Sequence, residues 1–300
     1  MLNKNFKSFE EYSNFYGMDF AGVEHKYFEF KSGGFDLAGQ LFVPQQYKAT
    51  LVFIHGFMGH CGVYGKFFNF MLNSHYAIAA FDFPGHGLST GEQTAIDDFQ
   101  QYSKSIEDFL KVIKEQLHGP YHIIAHSMGG AVVMDYLMNH KMNLPIAYAQ
   151  GSDIMFDKII LAAPLVRCTL WNISKIGYCI YSPFLKNIFR VFRNISSEKE
   201  YVDFLKYKDP LQSKIISMKW VAAMFEWEKK ADKAGVFEKP ILVIQGTKDT
   251  TVAWKYNLPF IQKKFKRAEI EFLYDAQHEF FNETKNIRND VFSMIRDYLR

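Results

Sequence analysis

Cysteine is scarce in this 300-residue chain: Cys61, Cys168 and Cys179 are an odd number with no spacing pattern. That usage does not read as a disulfide framework and favours reduced thiols in a cytosol. Net charge is small, +3 over the whole chain, so no global argument for nucleic-acid binding follows. No run of about 18 uncharged apolar residues occurs, which excludes a transmembrane helix. The first twenty residues are polar and aromatic, with Glu10, Glu11 and Asp19, and lack the apolar centre of a secretory signal. The expectation is a soluble cytoplasmic protein. Metal ligands are not grouped either: His55 and His60 are the nearest candidates and have no convincing third or fourth partner.

What the chain does have is apolar bulk. Hydrophobic residues make up 48% and aromatics 17%, with thirty Phe, enough to bury a large core in one α/β domain carrying an insertion. There is no internal repeat and no low-complexity tract. Short apolar runs alternate instead with helical spacing. Leu51–Ile54, Tyr76–Phe81, Tyr121–Ala125, Lys158–Ala162, Pro240–Gln245 and Ala268–Tyr274 read as strands. Phe99, Tyr102, Ile106, Phe109, Ile113 and Leu117 mark one helix face, and Ile287, Val291, Ile295 and Tyr298 another. Such alternation predicts a mostly parallel sheet with helices on both faces. His25–Phe30 and Phe35–Val43, around Ser32-Gly33-Gly34, predict an antiparallel hairpin on the sheet edge.

Residues 165–236 break the rhythm, with an aromatic-rich helical pattern and no strand. They predict a helical cap inserted into a core of residues 1–164 and 237–300. Ser182-Pro183 reads as a helix start, placing Phe184, Leu185, Ile188, Phe189 and Phe192 on one face. From Leu165 to Arg193 the charged residues are Arg167, Lys175, Lys186, Arg190 and Arg193, with no acid. A solvated basic edge and an interfacial surface meeting anionic lipid both fit that pattern. Trp171, Tyr178, Tyr181, Trp220, Phe225 and Trp227 could line an acyl tunnel or form the insertion's own core, with Cys168 and Cys179 as filler.

Ala125-His126-Ser127-Met128-Gly129 follows an apolar run and opens a helical one, the context of a nucleophile elbow. By itself Ser127 could equally be a helix cap. A serine hydroxyl needs a base, and His278 lies in the loop after the last strand pattern. The base needs a carboxylate, and Asp249 follows the Ile241–Ile244 run. Asp153 and Asp157 precede their strand and would fall at its opposite end. The order Ser127, Asp249, His278 is the acid-before-histidine order of α/β-hydrolases. The amides of Met128, at the helix start, and Phe57, in the His55-Gly56-Phe57-Met58-Gly59 turn, are candidate oxyanion donors.

The stretch 125–130, the His55-Gly56 turn and Asp82-Phe83-Pro84-Gly85-His86-Gly87-Leu88-Ser89 together resemble the monoacylglycerol lipase and lysophospholipase branch of the α/β-hydrolases. Tyr16-Gly17-Met18-Asp19-Phe20, the hairpin and Pro44 are similar to bacterial lysophospholipases of the L2 type. Ala125 stands where the commoner elbow residue is Gly. The resemblance implies a Ser127–His278–Asp249 triad, oxyanion amides at Phe57 and Met128, and an 82–87 loop that buttresses the turn at His55. It implies hydrolysis of a lipid monoester, a lysophospholipid or monoacylglycerol, without metal or organic cofactor. Trp171, Phe184 and Trp220 are candidate substrate contacts, and residues 165–193 a candidate peripheral contact with the inner membrane face. A small-ester carboxylesterase, an aminopeptidase or an acyltransferase would use the same triad. A non-catalytic binding protein on the scaffold would be expected to lose a triad member.

Overall fold

Each apolar run becomes a strand, and those in the middle of the sheet are buried on both faces and have no polar side to show. The structure, a computed structural model, describes residues 5–139 and 156–300. In chain order the strands are β1 (Val23–Ser32), β2 (Phe35–Pro44), β3 (Ala49–Ile54), β4 (Tyr76–Phe81), β5 (Tyr121–His126) and β6 (Phe156–Ala162). A long excursion then carries β7 (Asn187–Phe189) and β8 (Ile215–Ser217), before β9 (Ile241–Gly246) and β10 (Ala268–Leu273). The main sheet has eight strands in the order β1-β2-β4-β3-β5-β6-β9-β10. Only β1 and β2 run antiparallel to the neighbours they pair with; from β4 to β10 every pairing is parallel.

The helices are α1 (Phe9–Tyr16), α2 (Gly65–Leu72), α3 (Gln100–Ile113), α4 (Met128–Asn139), α5 (Trp171–Tyr181), α6 (Lys199–Asp203), α7 (Met218–Lys233), α8 (Trp254–Lys264) and α9 (Lys285–Tyr298). Alternation along a strand divides the core in two. Val52 and Ile54 of β3 join Phe109 of α3, Val132 of α4 and Ile261 of α8 on one face. Leu51 and Phe53 join Phe67 and Phe68 of α2 and Phe292 of α9 on the other. The N-terminal helix docks on this second layer: Ser8 caps it, Gly17 closes it at φ 62°, and Tyr12 is fully buried. Among the described residues no helix is long and apolar enough to cross a membrane.

The excursion between β6 and β9 differs from its sequence reading in three ways. It is not wholly helical, since β7 and β8 pair antiparallel, with Ile188 opposite Ile216. The helix lies before Ser182-Pro183, not after it. Ser182 is the C-cap of α5, and the amides of Phe184 and Leu185 bond back to the Tyr181 carbonyl. A proline just past a helix end stops it as readily as one at a helix start begins it, and here the first sense holds. Finally, Cys179 is exposed and is not core filler, whereas Cys168 is half-buried and packs against the core and the aromatic-lined cavity. Asp153 lies outside the described residues.

Candidate active site

The parallel sheet gathers at one edge whatever follows each strand. After β5 the chain turns sharply through Ser127, whose φ of 53° is left-handed, and continues into α4. Ser127 N–H donates to the Ala162 carbonyl and Leu165 N–H to the Ser127 carbonyl, so the turn is held by the residues that follow β6. Gly129 permits the approach of helix to strand: a Cβ there would meet the carbonyl oxygens of His55 at 2.6 Å and Ile54 at 2.7 Å. Ser127 itself is nearly buried.

Asp249 follows β9 and His278 follows β10. His278 Nδ1 lies 2.7 Å from Asp249 Oδ2, and Nε2 lies 2.8 Å from Ser127 Oγ. A carboxylate can only accept, so Nδ1 carries the proton and Nε2 is left to accept from the serine hydroxyl. The carboxylate is itself fixed. Its Oδ1 accepts from the amides of Thr251 and Val252, and its Oδ2 from Gln245 Nε2. Burial opposes charge on Asp249, but His278 and the amides of Thr251 and Val252 hold its carboxyl below the ordinary value. Burial likewise opposes the His278 cation, yet Asp249 with its hydrogen bond, and Glu279, raise the ring above the ordinary 6.5.

His126 points away from the site. Its Nε2 lies 3.1 Å from the His278 carbonyl and its Nδ1 3.0 Å from Tyr64 Oη, which braces the loop carrying His278. His126, His278 and Glu279 approach one another closely enough to suggest metal ligation. Both ring nitrogens of each histidine, however, already have hydrogen-bond partners.

The turn after β3 runs beside the elbow. Gly59 N–H closes it on the Gly56 carbonyl at 3.0 Å, with Met58 at φ 62°. His55 is locked as a neutral ring, Nδ1 donating to the Gly56 carbonyl and Nε2 accepting from Phe83 N–H. Burial lowers its pKa well below the usual range. The 82–87 loop thus buttresses this turn as expected, and Asp82 accepts from the amides of Cys61 and Leu88. Trp220 of α7 stacks on Phe57 at 3.7 Å between ring centroids and donates to Met128 Sδ, so one indole covers both residues whose amides are the candidate oxyanion donors.

Trp220 also lines an apolar cavity of about 260 Å³, together with Trp171, Tyr178, Met224, Phe225 and Ile188. Phe184 is not in it, standing 83% exposed. Trp227 turns into the main core and donates to Asp135. Two groups have no signal in the sequence. Gln212 Nε2 bonds the Met58 carbonyl at 3.0 Å, and Asp209 Oδ2 lies 3.0 Å from His60 Nε2. Both contacts join distant stretches of chain that only the fold brings together.

A mostly parallel sheet, a left-handed serine between strand and helix, and a hydrogen-bonded histidine and aspartate from the last two strands define an α/β-hydrolase. Residues 45–285 match the family described as "Serine aminopeptidase, S33", and the chain belongs to that family. A monoglyceride lipase homolog of Monkeypox virus is 24% identical over 85% of this chain and 91% of its own. A probable lysophospholipase L2 of Haemophilus influenzae is 24% identical over 75% of each chain. A soluble variant of monoglyceride lipase from Saccharomyces cerevisiae, solved with a substrate analog, superposes with a TM-score of 0.77 at 20% identity, covering 95% of this chain and 97% of its own. The resemblance drawn from the motifs is therefore borne out at the level of fold and hydrolase family.

Proposed function

We propose that the protein is a serine hydrolase that cleaves carboxylic esters of lipid monoesters, a lysophospholipid or a monoacylglycerol, through an acyl-enzyme. The continuous chain of hydrogen bonds from Ser127 through His278 to Asp249 carries this reading. His278 Nε2 takes the hydroxyl proton as Ser127 Oγ attacks the ester carbonyl, while Asp249 stabilises the imidazolium. The amides of Phe57 and Met128 hold the tetrahedral oxyanion. Met128 N–H is free for this because the first amides of a helix have no intrahelical acceptor. His278 returns the proton to the leaving alcohol, and water activated by the same ring releases the fatty acid.

Three observations support a lipid substrate. Residues 165–236, read as a cap, place an apolar cavity against Trp220, beside both oxyanion candidates. The outer side of this cap is apolar and exposed: Ile173, Ile176 and Ile180 fall at helical spacing on α5, and Phe189 and Val191 are 85% and 80% exposed. Exposed Lys186 lies in the chain between exposed Phe184 and Phe189, so the surface suits peripheral contact with an anionic leaflet. The basic stretch is less free than its composition suggests: Arg167 pairs with Glu228, and Arg190 bonds Gln212. Glu226 is paired with Lys229 and Glu228 with Arg167 and Lys175, which engages both carboxylates that the aminopeptidase alternative would use in this segment.

The test compares wild type and Ser127→Ala on short-chain and long-chain p-nitrophenyl esters, monoacylglycerol and lysophosphatidylcholine. Long-chain lipid hydrolysis that vanishes in the variant supports the whole reading. Activity on short esters alone keeps the triad and removes the lipid assignment.

A further inference from the structure

The turn that carries Phe57 N–H is not self-sufficient. Gly59 N–H closes it on the Gly56 carbonyl, and its third residue, Met58, has a φ of 62°. A left-handed residue at that position favours glycine, so a methionine there must be held by something outside the turn. The holding contact comes from a distant stretch of the chain. Gln212, buried on the return limb of the inserted segment, donates from Nε2 to the Met58 carbonyl at 3.0 Å.

We infer that Gln212 is a positioning residue for the oxyanion turn, and that Arg190 fixes the orientation in which it works. The inference rests on Phe57 N–H being an oxyanion donor, as proposed above. A glutamine amide has two ends, and only one can face a carbonyl. Arg190 Nη1 bonds Gln212 Oε1, and a guanidinium has only donors, so the NH₂ end is left for Met58. Arg190 directly follows β7, and its own amide bonds the Lys214 carbonyl at 2.9 Å. Three residues before Gln212, Asp209 bonds His60 on the other limb of the same turn and accepts from Tyr16 Oη at 2.6 Å. The segment 209–212 thus grips the turn on both sides of Gly59. Gln212 and the Arg190 that orients it both belong to the insertion, so the oxyanion turn takes its shape from the cap as well as from the core.

The experiment uses the full chain with Gln212→Ala, Gln212→Glu and Arg190→Ala, a soluble short-chain p-nitrophenyl ester, and a short-chain trifluoromethyl ketone that forms a tetrahedral adduct on serine. Gln212→Ala should lower kcat about tenfold, with KM within about twofold and ketone affinity falling in step with kcat. Gln212→Glu, which sets a carboxylate against a carbonyl, should lose at least as much, and Arg190→Ala less. A merely structural Gln212 would lower Tm while kcat per folded molecule and ketone affinity stayed at wild-type values, and that result overturns the inference. A wild type that is inactive, or whose activity survives Ser127→Ala, overturns the triad reading and this inference with it. A Ser127-dependent enzyme indifferent to Gln212→Ala overturns the inference alone.

Discussion

Gly56 and Ser127 stand so close that a Cβ on the glycine would come within 3.0 Å of the serine Cβ, and within 3.2 Å of His126 Nδ1. Neither neighbour can yield freely, because Ser127 sits in a left-handed turn and His126 is hydrogen-bonded at both nitrogens. Gly56→Ala should therefore push the oxyanion turn away from the nucleophile. The expected result is a roughly 10- to 100-fold loss of kcat/KM on a soluble ester, with the far-ultraviolet circular dichroism of the wild type retained.

Asp249→Asn should cost more than its small volume change suggests. An asparagine amide can donate to His278 Nδ1, which moves the ring proton to Nε2 and removes the acceptor that Ser127 needs. A fall in kcat on the order of 10⁴ is expected from such a tautomer change. Steady-state kinetics with the protein concentration set by active-site titration checks it, and a loss below about tenfold would place the orienting carboxylate elsewhere.

The pH profile carries a sign. His278 works as a base only when neutral, and its pKa in the folded protein lies above 6.5. Plotted against pH, kcat/KM should rise through a midpoint above that value and fall away in acid. Removing the carboxylate in Asp249→Ala leaves burial as the dominant influence on the ring, so the midpoint of the residual activity should move down. A midpoint that moves up would contradict the assignment of Asp249 as the partner that stabilises the cation.

The exposed isoleucines of α5 give a separate prediction. Replacing Ile173 and Ile176 by serine removes apolar side chains, each worth about 1.5–3 kcal/mol when fully buried. Co-sedimentation with phosphatidylglycerol vesicles should drop at least about tenfold, and the ratio of emulsified long-chain to soluble short-chain turnover should fall with it. Unchanged binding would mean that this face does not meet lipid.

The catalytic candidates are legible in the sequence because each depends on a local pattern. Ser127, Asp249 and His278 all come directly after an apolar run, and a parallel sheet collects such positions at one edge. The hairpin at Ser32-Gly33-Gly34 and the helix face from Phe99 to Ile113 are local in the same way. The insertion is harder to read. β7 and β8 are three residues each, too short for alternation to show, and their partners lie on opposite sides of α6. Ser182-Pro183 is punctuation that serves either end of a helix. Gln212 and Met58, 154 residues apart, have no pattern in common, and only the folded chain brings them within reach.

The dispersal of the site along the chain has a consequence for biosynthesis. Gly246 of β9 pairs with Leu273 of β10, and the loops beyond these two strands carry Asp249 and His278. A polypeptide still emerging from the ribosome can form the elbow at Ser127, and even the turn at Gly56, long before residue 278 has been made. With His278 as the base, such a polypeptide has a serine and nothing to take its proton. On that assignment the nascent chain is disarmed by its own order of synthesis, and a product cut short before β10 would lack the group that activates Ser127.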